Sequence, residues 1–328
     1  MRAIVCRELI GPDGLTLEDW PVPEPGPGEV RIRVRAAGLN FADTLIIKGQ
    51  YQDKPPLPFV PGIEIAGQIE QRGEGVAGFL PGDRVMATLD RGGFAEEAVT
   101  AASNVVPLPD SIDYITAAGF AIAYGTAYGA LVWAGRLRAG ETLLVHGAAG
   151  GVGLAAVECG LALGARVIAS ARGREHLEVA REHGAGDLID TASEDVRARI
   201  RELTEGRGAD VVFDPIGGEL FTASLRSIAW EGRLLVIGFA SGQIPQIPAN
   251  LLLVKNAAAI GFYWGSYRRH DPARVHAAFR ELLGWHAEQR VRPHVSEIHP
   301  LSEARSALAR LLARQSTGKI VLTIDERA

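Results

Sequence analysis

The chain has 328 residues, 47% hydrophobic and 22% charged, with a formal net charge of −5; these values suit two globular domains and exclude a disordered chain. No Lys/Arg run is long enough to follow a phosphate backbone, and no apolar stretch is long or unbroken enough to span a bilayer, so neither nucleic acid nor membrane is an expected partner. The two cysteines, Cys6 and Cys159, lie far apart, and Arg7 and Glu8 interrupt any signal-like apolar core at the start, so a reducing, cytoplasmic setting is expected.

The first 110 residues read as β structure. VRIRVRA (30–36) alternates apolar residues with Arg, the pattern of a strand with one wet face. EIAGQIEQ (64–71), DRVMATL (83–89) and FAEEAVT (94–100) continue it, and Pro-Gly turns punctuate the segment at 25–29, 61–62 and 81–83. In PGIEIAG (61–67), Ile63, Ile65 and Gly67 alternate along an expected strand, with the carboxylate of Glu64 between the isoleucines. From residue 110 the pattern changes. Asp110 and Ser111 begin an Ala-rich helical stretch, and then strands alternate with helical crossovers. TLLVHG (142–147), RVIAS (166–170), DLIDT (187–191), ADVVFD (209–214), RLLVIG (233–238) and AAIGFYW (258–264) are the expected strands of a parallel, doubly wound sheet. GELFTASLRSIAW (218–230) reads as one of the helices. Beyond 265, two amphipathic helices and a last strand, KIVLTI (319–324), complete the chain.

The α/β reading thus has a Gly-rich, mostly antiparallel β domain at 1–123, a six-stranded dinucleotide-binding domain at 124–264, and a return to the first domain at 265–328.

HGAAGGVG (146–153) follows a strand and opens a helix, with Ala148, Gly150 and Gly153 in the G-x-G-x-x-G frame. Small residues let backbone approach a pyrophosphate, and the helix N-terminus supplies N–H donors. Where an NAD site expects an acid at the end of the second strand, this chain has Ser170-Ala171-Arg172-Gly173-Arg174. A hydroxyl and two arginines suit a 2′-phosphate, so NADPH is the expected cofactor. His176 lies one turn further on, with a surface role the plainer reading.

The first 145 residues contain no histidine, and their one sulfur nucleophile is Cys6. Zinc is held chiefly by His and Cys, so no metal centre is expected; Asp43 and Glu64 read as structural acids. His146 ends a buried strand and reads as structural rather than catalytic.

GLNFADTLIIKGQY (38–51), PGIEIAG, GDRV (82–85), GGFAE (92–96), TAYGAL (126–131), HGAAGGVG, FDPIGG (213–218) and TGKIVL (317–322) together resemble the zinc-free quinone oxidoreductase branch of the medium-chain dehydrogenase/reductase superfamily, the zeta-crystallin type. The resemblance runs the whole length. It implies a GroES-like catalytic domain and a Rossmann domain. Zinc-dependent relatives have ligands where this chain has Asn40, Ile63 and, near the third position, Ile122. It further implies cofactor contacts at Asn40, Thr126, Gly150, Gly151, Val152, Ser170, Arg172, Ile216, Phe239, Ser241, Phe262, Trp264 and Lys319. Two departures weigh on NADPH preference: Thr191 stands where these reductases often have Tyr, and their Lys near His176 is absent.

The implied reaction is hydride transfer from NADPH to a quinone or another α,β-unsaturated carbonyl. Tyr51 matches the donor tyrosine of related enoyl-thioester reductases, and Asn40 is expected to hold the nicotinamide or the substrate oxygen. Asp43 fixes the loop in the plainer reading. Phe262 to Trp264 read as pocket floor, as core, or as the edge of a homodimer formed through the last Rossmann strand. A 2-enoyl-thioester reductase, with Arg268, Arg269 and His270 near an acyl-carrier phosphate, and a non-catalytic NADPH-binding protein are the alternatives.

Overall fold

The computed structural model describes residues 1–324. The first stretch forms β1 (Arg2–Cys6), β2 (Leu15–Asp19), β3 (Glu29–Gly38), α1 (Phe41–Ile46), β4 (Glu64–Arg72), β5 (Arg84–Thr88), β6 (Glu97–Ala101), β7 (Val105–Pro107) and α2 (Tyr114–Ala118). The middle stretch begins with α3 (Ala121–Gly129), β8 (Thr142–His146), α4 (Gly151–Ala162), β9 (Arg166–Ala171), α5 (Arg174–Glu182) and β10 (Asp187–Asp190). It continues through α6 (Val196–Leu203), β11 (Ala209–Asp214), α7 (Gly218–Ser227), β12 (Ile228–Val236), α8 (Ala249–Lys255), β13 (Ala258–Gly261), α9 (Trp264–His270) and α10 (Pro272–Ala287). The chain then adds β14 (Val295–Pro300), α11 (Ala304–Leu312) and β15 (Lys319–Thr323).

Two compact units result: Met1–Ile122 together with the chain from Pro293, and Ala123–Arg292. In the first, a mixed sheet runs β14-β15-β3-β4-β5-β7, with β6 also on β3. The alternation read from β3 is realised. Val30, Ile32 and Val34 are buried, while Arg31 and Arg33 form ion pairs with Glu97 and Glu70 on the wet face. Ile65, Ile69, Val85 and Phe94 complete that core, each such side chain contributing about 1.5–3 kcal/mol on burial. Gly62 turns the chain into β4 at φ 99°, and a Cβ there would lie 2.5 Å from the Phe94 ring, so only glycine fits.

The second unit holds the parallel sheet β10-β9-β8-β11-β12-β13. Connections leave β8 in opposite directions, so the crevice at the carboxyl ends of β8 and β11 is the topological switch point where such sheets bind ligands. Several boundaries differ from the sequence reading. Helix α7 stops at Ser227, and Ile228-Ala229-Trp230 open β12, because β-branched Ile228 pairs in register with Ala209 of β11. Strand β13 stops at Gly261, and Trp264 starts a helix. The second crossing lies at 292/293 rather than 264/265. Helices α9 and α10 stay with the second unit because their aromatics pack there. Trp264 and Tyr267 lie 5.8 and 4.8 Å from Trp133, and Trp285 lies 5.5 Å from Tyr128, ring centre to ring centre. The buried carboxylate of Glu158, on α4, accepts from the Tyr124 hydroxyl at 2.5 Å and the Arg292 N–H at 2.9 Å, and bonds His183 at 2.6 Å. It fastens both ends of this unit to one helix.

Candidate functional site

In the second unit, β8 ends at His146 and the loop 147–150 delivers the chain into α4. Gly147 has φ 60°, and a Cβ on Gly153 would lie 2.1 Å from the Gly147 carbonyl oxygen. The loop therefore folds flat onto the first turn of the helix. No side chain caps α4, and no acid lies in its first turn. Its free N–H donors and positive end fit a pyrophosphate, and the half-buried Gly150, Gly151 and Val152 stand where that group would meet them. Ile216 faces the same loop: a Cβ on Gly147 would be 3.0 Å from its side chain. Asp214 shapes this wall by accepting the N–H groups of Ile216 and Gly217 at 2.8 and 2.9 Å. Ser241 and Phe239 border Gly217, and the Ser241 N–H donates to the Ile216 carbonyl. The structure thus gathers Gly150, Gly151, Val152, Ile216, Phe239 and Ser241 along the carboxyl ends of β8, β11 and β12.

Arg172 is exposed on the turn after β9, and Arg174, also exposed, opens α5. Asp190 braces that turn by accepting the Gly173 N–H at 2.9 Å. Ser170, expected beside them, is fully buried, with its hydroxyl 2.6 Å from His146 Nδ1. The residues pair directly across β8 and β9, so their side chains share one face of the sheet and the hydroxyl lies against the imidazole. The other His146 nitrogen lies 2.6 Å from the Ser224 hydroxyl. Burial holds His146 below its ordinary pKa, against the charge of Asp214, and keeps it a neutral structural group. Thr126 is buried on α3. Phe262 and Trp264 are buried in the aromatic cluster with Trp133, so of the readings kept open for this run the core one describes their side chains. Arg268, Arg269 and His270 form the last turn of α9.

In the first unit, Asn40 precedes α1 and its N–H donates to Asp43 Oδ2 at 2.8 Å. Glu64 is fully buried one residue beyond Ile63. Its partners are Lys319, Asn40 and the N–H of Ile122. Glu64 Oε2 accepts from Lys319 Nζ at 2.8 Å and from Asn40 Nδ2 at 3.0 Å, while Oε1 accepts from the Ile122 N–H at 2.7 Å. Lys319 also donates to the Leu39 carbonyl at 2.8 Å and to Asn40 Oδ1 at 2.7 Å, which engages all three of its donors. Both Asn40 amide hydrogens are likewise engaged, the second by the Gly38 carbonyl at 3.3 Å. Asn40 therefore has no hydrogen left for a substrate oxygen; it retains a lone pair on Oδ1. Burial pushes the neighbouring Asp43 carboxyl up to about 7, although the Asn40 N–H and the Lys319 ammonium favour its ionised form. Tyr51 is half-buried on the loop after α1 and packs on this unit's core. Among the described residues no group of three or more His, Cys, Asp or Glu side chains is placed to hold a metal ion, and no helix is long and apolar enough to cross a membrane.

Known proteins match this architecture along its length. The alcohol dehydrogenase GroES-like domain family matches residues 26–110, and the zinc-binding dehydrogenase family matches 151–284. "Quinone oxidoreductase-like protein 2 homolog" of Nematostella vectensis is 41% identical, over 99% of this chain and 89% of its own length. "Quinone oxidoreductase" of Pseudomonas aeruginosa is 39% identical, over 95% and 96% of the two chains. The solved structure of mycobacterial Rv1454c complexed with NADPH superimposes with a TM-score of 0.94 at 33% identity, covering 99% of this chain and 100% of that one. By its full-length likeness to these relatives, the chain belongs to the zinc-free quinone oxidoreductase family of the medium-chain dehydrogenases/reductases.

Proposed function

We propose that the protein uses NADPH to reduce a quinone or another α,β-unsaturated carbonyl, without a metal Lewis acid. The observation that carries this reading is the uncapped N-terminus of α4 on its glycine loop, in a chain whose relatives are named quinone oxidoreductases and whose structural neighbour was solved with NADPH. Bound NADPH supplies a hydride at its dihydronicotinamide ring. Gly150, Gly151 and Val152 hold the pyrophosphate, and Ile216, Phe239 and Ser241 line the dinucleotide. Arg172 and Arg174 pair with the 2′-phosphate in place of an acid that would repel it. Tyr51 donates to the carbonyl oxygen as negative charge develops there, and Asn40 and Thr126 border the nicotinamide. Where zinc-dependent relatives have ligands, Ile63 and Ile122 offer only hydrocarbon, so no side chain at these two positions can bind an electrophilic metal.

The reading extends to the assembly and its setting. Strand β13 ends its sheet, and Trp230, Ile244, Leu253 and Val254 are exposed in the β12, β12–α8 and α8 segments before it. An uncovered edge with apolar neighbours supports a homodimer through β13; sedimentation as a monomer at micromolar concentration would contradict it. Two free buried cysteines support a reducing cytoplasm; exclusive recovery from an oxidising compartment would count against it.

The reaction is tested with NADPH deuterated at the transferable position and an enone. One deuterium at the β-carbon of the saturated ketone supports hydride transfer. Enone recovered unreduced, along with every quinone offered, sinks it.

A further inference from the structure

A carboxamide side chain has two orientations of nearly equal shape, and only its hydrogen-bond partners distinguish them. At Asn40 these partners are opposite charges. An ionised Glu64 can only accept, and it lies 3.0 Å from Nδ2; the Lys319 ammonium can only donate, and it lies 2.7 Å from Oδ1. Turning the amide over would set oxygen against carboxylate and N–H₂ against ammonium, exchanging two charge-assisted bonds for two repulsions. The charges themselves have no freedom to follow. Glu64 is anchored through its other oxygen by the Ile122 N–H, and Lys319 by the Leu39 carbonyl. Space is closed as well: a Cβ on Gly38 would lie 2.8 Å from Glu64 Oε2, and one on Gly119 3.3 Å from the Lys319 stem.

We propose that Glu64 and Lys319 are the positioning pair of this site, fixing the polarity of Asn40 so that Oδ1 is the atom it presents to the cofactor's carboxamide N–H₂. The proposal rests on the reading that Asn40 meets the nicotinamide. It assigns Lys319 to Asn40 and Glu64 rather than to the cofactor itself, since its three hydrogens are already engaged. It also removes Asn40 as a donor to substrate. Neither member of the pair is a catalytic residue; each acts through the amide between them.

The test compares dissociation constants of NADP⁺ and its 3-acetylpyridine analogue, which replaces the carboxamide N–H₂ by a methyl group. Wild type is expected to prefer NADP⁺ by about tenfold, the value of one well-made hydrogen bond. The preference should vanish in Asn40→Ala. It should vanish equally in Glu64→Gln/Lys319→Met, a neutral pair expected to preserve the melting temperature because no charge is left buried alone. If that variant does not fold, Glu64→Asp keeps the charge but withdraws it from Nδ2, with the same loss expected. Equal binding of the two nucleotides by wild type, or a pair variant that keeps the wild-type preference, overturns the proposal. No electrophile enters this experiment. A wild type that shows the preference yet reduces nothing would sink the proposed reaction and leave the pair's role standing.

Discussion

Lys319 donates to Glu64 across 2.8 Å with both side chains buried, joining the last strand of the chain to a strand 255 residues earlier. A buried pair is costly to break from one side, because the partner is left as an isolated charge. Lys319→Met should therefore destabilise the protein by about 3–5 kcal/mol, read from urea unfolding. Adding Glu64→Gln should recover most of that loss. A single variant as stable as wild type would show that the pair is not buried in solution.

The exposed arginines after β9 face a different demand. Arg172→Ala/Arg174→Ala should weaken NADPH binding by roughly 10–100-fold, the loss of about 1.5–3 kcal/mol of charge-assisted bonding. NADH, without a 2′-phosphate, should bind as before. Equal weakening of both nucleotides, measured by titration of their fluorescence, would place the arginines' effect elsewhere.

Asp43 makes stability depend on pH in an unusual direction for an acid. Burial raises its folded pKa to about 7 from an unfolded value near 3.8. Between those values the native state binds more protons than the unfolded chain, so this group's contribution declines as pH rises and is level above about 7. Asp43→Asn keeps an acceptor for the Asn40 N–H and removes the titration. Relative to wild type it should gain on the order of 4 kcal/mol between pH 4 and pH 8. Parallel stability curves for the two proteins would contradict this.

The parallel sheet and the glycine loop were legible because their signals are local. Short apolar strands, periodic helices and a small-residue turn all occur within a few residues of one another. That Ile63 and Ile122 carry no donor atom was legible because side-chain type alone decides that question. The partners of Glu64 were not, since an acid in a strand says nothing about which distant cation folds onto it. The contact between Ser170 and His146 was not legible for a related reason: pairing across the strands sets it, not sequence neighbourhood. Trp264 looked like the end of a strand because aromatic runs fit strands and helices equally well. Glu158 carried no signal among the apolar residues of α4, and its role shows only once Tyr124, His183 and Arg292 surround it.

The central claim, NADPH-dependent reduction of a conjugated carbonyl by side chains and cofactor alone, is tested most directly by NADPH consumption with a soluble quinone. The protein should first be dialysed against chelator and shown by elemental analysis to hold far less than one zinc per chain. The account predicts saturable turnover that added zinc does not raise, with NADPH favoured over NADH. Turnover that appears only when zinc is restored, or none with any quinone or enone at any metal content, would contradict it.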